Sequence, residues 1–176
     1  MRCFVAIDLS QEIKQELARV VNELSKLGLL ASLPKQEQLH VTLAFLGELS
    51  EQETEQVKQK LSGIKFNKFS LQARGTGFFP SDSFIRVFWA GIESRELVEL
   101  QKIVSEKLGA KEERAYVPHI ALARIKDKKN SGKLIQLKNS LQEKDFGSML
   151  AEKFVLMKST LTPQGAVYEV LQEFPL

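Results

Sequence analysis

His40-Val41-Thr42-Leu43 and His119-Ile120-Ala121-Leu122 decide how this chain is read. They hold its two histidines, and each histidine opens a run of apolar residues. Successive side chains of a strand point to opposite faces. The alternation therefore predicts Val41, Leu43, Ile120 and Leu122 in a core, with His40, Thr42, His119 and Ala121 on the other face. A single histidine at a strand start is ordinarily structural. Two, each at the head of a matching strand, point to one groove holding both imidazoles with a hydroxyl beside one of them.

Outward from the first motif, Cys3 to Leu9 reads as a short buried strand, and Ser10 opens a helix. Leu17, Val20, Val21, Leu24 and Leu27 recur in steps of three and four up to Gly28, the spacing of an amphipathic helix. After the Leu39–Leu46 strand, Ser50 and Glu53 form a capping-box pattern for a helix to Leu61, and a strand follows over 69–76. Gly75-x-Gly77, Pro80, Ser81 and Asp82 read as turn markers. The order then recurs: a strand over 84–92, a helix over 94–108 closed by Gly109, and the His119–Arg124 strand. A helix over 132–141 and strands over 154–161 and 167–173 complete the chain. Arg2, Phe4, Ala6, Ser10 and Glu12 match Arg86, Phe88, Ala90, Ser94 and Glu96 at a constant offset, and Phe69 and Leu71 match Phe154 and Leu156. These matches suggest one two-lobed domain over 1–176 with an internal duplication, about 1–76 and 84–173, related by a pseudo-twofold axis.

At 176 residues, 43% hydrophobic and 27% charged, the chain suits one globular domain and excludes a disordered or low-complexity protein. The net charge is only +3, but Arg124, Lys126, Lys128, Lys129 and Lys133 lie within ten residues that contain one acid, Asp127. All the positive excess sits there, where it could guide nucleic-acid phosphates or be a solvated loop. The lone Cys3 excludes an internal disulfide and suits a buried position. The N-terminus lacks the long apolar core of a signal peptide, and no stretch approaches a membrane span. A soluble, cytoplasmic monomer is expected. Asn130-Ser131-Gly132-Lys133 falls short of a phosphate loop, because Asp127 and Leu134 occupy its first-glycine and hydroxyl positions. Trp89, inside an apolar strand, reads as core.

Two imidazoles near neutral pKa can divide labour as general base and general acid, which suits phosphodiester chemistry. Thr42 would donate to a phosphoryl oxygen as charge builds. A dinuclear metal site is the competing reading, but no Asp or Glu cluster accompanies either histidine, and no metal is expected.

HVTLAFLGEL and PHIALAR, with FVAIDL, RVFWAGI and STLTPQGAVYEVL, resemble the RNA 2′,3′-cyclic phosphodiesterase family, also called the 2′-5′ RNA ligase family, of the two-histidine phosphoesterase superfamily. The resemblance spans nearly the whole chain. It implies a bilobal α+β fold in which two antiparallel sheets line a central groove, with helices outside. It further implies hydrolysis of RNA 2′,3′-cyclic phosphate ends to a 2′-phosphate without metal or other cofactor. By motif position His40 would be the proton donor to the leaving 3′ oxygen and His119 the proton acceptor that activates water. RNA ends, including tRNA fragments, or cyclic nucleotides would be the partners, with no membrane involved. ATP-independent 2′-5′ RNA ligation, or RNA-end binding with weakened catalysis, are the alternatives.

Three features complicate the resemblance. Its second motif ordinarily carries Thr or Ser where this chain has Ala121, so one of two phosphate-contacting hydroxyls is absent. Phe45 corresponds to an aromatic that stacks on the terminal base, and Arg124 to an arginine that contacts phosphate. Both stand at odd steps from their histidines, so regular alternation would aim them at the core. Their transfer to the groove requires a bulge or twist in each strand.

Overall fold

The computed structural model describes residues 1–110, 115–127, 129, 131–163 and 165–176. Lys128 of the basic stretch and Asn130 lie outside the described residues. Strand β1 (Arg2–Asp8) leads into helix α1 (Gln11–Ser25), β2 (Ala31–Ser32), a 3-10 turn at Gln36–Gln38 and β3 (His40–Glu48). Helix α2 (Glu51–Ser62) and the hairpin of β4 (Phe69–Ser81) with β5 (Phe84–Glu93) follow. Then come α3 (Arg95–Leu108), β6 (His119–Ile125), α4 (Ser131–Ser140), β7 (Asp145–Ala151) and the hairpin of β8 (Lys153–Thr162) with β9 (Gly165–Pro175).

The helix boundaries follow local chemistry. Ser10, Ser50 and Ser94 each accept a hydrogen bond from a first-turn backbone N–H, satisfying a donor that the helix itself cannot, a contribution of about 1 kcal/mol apiece. Glu53 returns the bond to Ser50 and completes the capping box. Gly109 closes α3 at φ +67°, where a side chain would be strained.

All pairing is antiparallel, in the orders β3-β1-β8-β9 and β2-β6-β5-β4-β7. The expected α+β architecture of two antiparallel sheets is therefore what forms. Two helices cross between the sheets. Helix α1 leaves β1 yet packs on β6 and β7, and α3 leaves β5 yet packs on β3 as well as β4. One hydrophobic core consequently runs through both halves, from Val5, Ile13 and Leu17 to Phe88, Leu100 and Ile120.

The registers differ from the sequence reading in two respects. Gly75 and Gly77 are not turn residues: β4 continues to Ser81, and Gly77 leaves room for an indole, since a Cβ there would meet Trp89 Cζ2 at 2.3 Å. The strand identities also fall on different faces. Asp8 lies opposite His40 and Gly91 opposite His119, which aligns Ala6 with Trp89 rather than Ala90. Phe4 and Ala6 pack with Val155, Met157 and Tyr168 outside the main core, whereas Phe88 and Ala90 lie within it. Ser10 and Ser94, by contrast, are both helix caps.

Candidate active site

Each histidine motif carries the same irregularity. On β3, Val5 pairs with Ala44 and Ala6 with Thr42, so Leu43 has no partner on β1. On β6, Phe88 pairs with Ala123 and Trp89 with Ala121, so Leu122 has none on β5. One extra residue reverses the alternation beyond it. Leu43 and Ala44 are consequently both buried, as are Leu122 and Ala123, and Phe45 and Arg124 emerge on the histidine face. Phe45 is 67% exposed, far from a core residue. The bulge that the resemblance required is present in both strands at the equivalent step.

The imidazoles are fixed in the same way. His40 Nδ1 lies 2.7 Å from the Gln38 carbonyl and His119 Nδ1 lies 2.7 Å from the Val117 carbonyl. A carbonyl only accepts, so Nδ1 carries the hydrogen in both rings, and each neutral ring has its lone pair on Nε2. His40 Nε2 stands 3.1 Å from Thr42 Oγ1. The residue two steps beyond His119 is Ala121, which has no hydroxyl to offer.

An aromatic wall backs each ring. His40 packs against Phe4 at 4.9 Å and edge-on to Tyr168 at 5.4 Å, with Phe45 beyond Phe4. His119 meets Phe79 edge-on at 4.8 Å and Trp89 at 6.3 Å. Trp89 is thus half-buried on the histidine face rather than in the core, and its Nε1 is enclosed with no hydrogen-bond partner among the described residues. Sequence alone could not separate these aromatics from core. Phe4 sits in an unbroken apolar run, and Phe78 and Phe79 are adjacent in a strand where only one can face inward.

Burial pushes both imidazoles below the ordinary histidine value of 6.5. Their backbone carbonyls oppose that shift, and the neighbouring charges then separate the two rings. The Asp8 carboxylate, opposite on β1, favours a proton on His40, while Lys14 and His119 disfavour it. The Arg124 guanidinium disfavours a proton on His119. Asp8 is itself held by Lys14, whose buried Nζ lies 2.6 Å away. Strands β3 and β6 pack beside each other, and the charge of His119 reaches His40. The first motif, with His40, Thr42 and Phe45, and the second, with His119, Ala121 and Arg124, thus stand on neighbouring strands of the two sheets. The basic side chains Arg124, Lys126, Lys129 and Lys133 are exposed beyond the second motif. Among the described residues no three His, Cys, Asp or Glu side chains are grouped to hold a metal ion, and no helix is long and apolar enough to cross a membrane.

Two antiparallel sheets, each presenting one histidine from a bulged strand, make up the two-histidine phosphoesterase fold. Solved structures agree. A Thermus thermophilus protein superposes with a TM-score of 0.81 at 28% identity, covering 100% of this chain and 98% of its own. E. coli LigT in apo form does so at 0.79 and 23% identity, covering 99% and 96%, a likeness of fold. Among curated proteins, an RNA 2′,3′-cyclic phosphodiesterase of Methanocaldococcus jannaschii is 39% identical over 99% of this chain and 100% of its own length. Another of that name, from Thermotoga maritima, is 33% identical over 98% and 94%. The family model for LigT-like phosphoesterases matches residues 7–89 and 92–168, and the chain belongs to that family.

Proposed function

We propose that the protein hydrolyses RNA 2′,3′-cyclic phosphate ends to 2′-phosphates by paired-histidine acid–base catalysis. The observation that carries this reading is the matched clamping of the two rings, each with Nδ1–H on the carbonyl two residues back and Nε2 left for proton transfer. The relatives' shared name supplies the substrate class, and the crystal structure of E. coli LigT complexed with 3′-AMP agrees with a nucleotide ligand.

His119 is the base. Arg124 beside it favours the neutral ring, whose Nε2 takes a proton from water as the water oxygen bonds to phosphorus. His40 is the acid. Its Nε2–H gives a proton to the 3′ oxygen as the phosphorus–O3′ bond breaks, leaving a 2′-phosphate and a free 3′-hydroxyl. Asp8 favours the proton His40 needs, and the bound phosphodiester anion adds to that effect. Opposed environments for two like groups are what assign an acid and a base. Thr42 donates to a non-bridging oxygen as its charge grows, Arg124 contacts the phosphate, and Phe45 stacks on the terminal base. The matching bulges and clamps in the two halves also support an internal duplication.

The test is to incubate a short RNA ending in a 2′,3′-cyclic phosphate with the protein in EDTA and assign the product by phosphorus NMR. A 2′-phosphate is expected. A 3′-phosphate would reverse the roles of the bridging oxygens, and an intact cyclic phosphate would refute the proposal.

A further inference from the structure

The bulge in β3 has a consequence for the second half of the chain. Strand β3 is an edge strand with β1 on one side. In a regular strand consecutive carbonyls point to opposite edges. Here the consecutive carbonyls of Thr42 and Leu43 both accept hydrogen bonds from side chains outside the sheet. Tyr116, three residues before His119, donates its hydroxyl to the Thr42 oxygen at 2.9 Å. Gln101 of α3 donates Nε2–H to the Leu43 oxygen at 3.3 Å and its second amide hydrogen to Ser105 Oγ at 2.9 Å.

Gln101 occupies an unexpected place. It lies on the core-facing side of α3 among Leu97, Leu100 and Val104, and is only 3% exposed, with Ser105 at 7%. A polar amide there is costly unless bonded. One of its bonds reaches the backbone step at which β3 changes phase, and the other stays within α3, on Ser105. On one side of that step stands Thr42 with its hydroxyl beside His40, and on the other stands Phe45.

We propose that Gln101 and Tyr116 are positioning residues for the first motif: they hold the two carbonyls at the β3 bulge and so set the direction of Thr42 and Phe45. The first motif is therefore completed by the second half of the chain, through the helix that crosses from β5 to β3. This inference rests on the function proposed above for Thr42 and Phe45.

Two double-mutant cycles test it, each pairing a positioning residue with the residue it aims. Gln101→Met should raise KM for a cyclic-phosphate RNA about tenfold, the scale of a lost base-stacking contact, with kcat little changed. In a Phe45→Ala background the same substitution should add nothing to KM. Tyr116→Phe removes only a hydroxyl and preserves the fold if Gln101→Met does not. It should lower kcat about fivefold, the scale of one neutral hydrogen bond, and should have no effect in a Thr42→Val background. Effects that multiply independently in both cycles would overturn the proposal. A readout apart from turnover is the ring-to-ring NOE between Phe4 and Phe45, whose centroids lie 6.4 Å apart. Loss of that NOE in Gln101→Met supports the inference, and its retention with unchanged shifts for residues 42–45 overturns it. Should the wild type leave the cyclic phosphate intact, the proposed function falls while the NOE still decides whether the bulge is held from α3.

Discussion

Ala121→Thr should make the enzyme faster, and the structure sets the size of the gain. His40 and His119 are clamped alike, with Nδ1 2.7 Å from a carbonyl in each, and both motifs bulge after the third residue. Thr42 Oγ1 lies 3.1 Å from His40 Nε2. A threonine at 121 would by the same geometry place a hydroxyl about one hydrogen-bond length from His119 Nε2, where it could donate to the phosphoryl oxygen. One such donor is worth on the order of 3 kcal/mol, or about a hundredfold in kcat. Steady-state turnover of a cyclic-phosphate dinucleotide at saturating substrate measures it, with Ala121→Val as the control for volume. Trp89 lies opposite on β5, so a valine tests whether that indole tolerates a branched neighbour. Equal changes of kcat with threonine and valine, or an unchanged kcat with threonine, would show that position 121 lacks no hydroxyl donor.

The free-enzyme histidines sit below 6.5, so both limbs of the bell-shaped kcat/KM profile should lie on the acid side of that value. Asp8→Asn removes a carboxylate that raises His40, and should move the alkaline limb to lower pH. Arg124→Gln removes a cation that lowers His119, and should move the acid limb to higher pH; a pH–rate series on each variant reads the shifts. Phe45→Ala should raise KM about tenfold while thermal unfolding stays put, because the ring is 67% exposed. Gly77→Ala should destabilise the fold by about 1–3 kcal/mol in urea unfolding, since its Cβ would stand 2.3 Å from the Trp89 ring.

Much of this architecture was legible in residue pattern. Ser10 and the Ser50–Glu53 capping box announced α1 and α2, Gly109 marked the end of α3, and the paired motifs announced two matching strands, because these signals are local. What the pattern could not convey depends on register. The bulges at Leu43 and Leu122 add no unusual residue to the sequence, yet they decide that Phe45 and Arg124 leave the core. The same single-residue step makes the Phe4–Phe88 identity misleading, one ring facing the groove side and the other buried in the core. Trp89 looked like core because it sits within the apolar run 87–92; only the glycine opposite, Gly77, signalled a ring lying across the sheet. Strands β2 and β7 were missed outright. The first is two residues long, and the second, DFGSMLA, has an exposed Asp145 and a glycine where apolar alternation would be sought.

Single-turnover hydrolysis of a cyclic-phosphate RNA by His40→Ala and His119→Ala tests whether the two histidines share one proton-transfer task. General acid and base groups each contribute roughly 10²- to 10⁴-fold. Both variants should fall by that factor with substrate affinity largely kept, and with the corresponding limb of the pH profile gone. Near-normal turnover in either variant would contradict the paired mechanism.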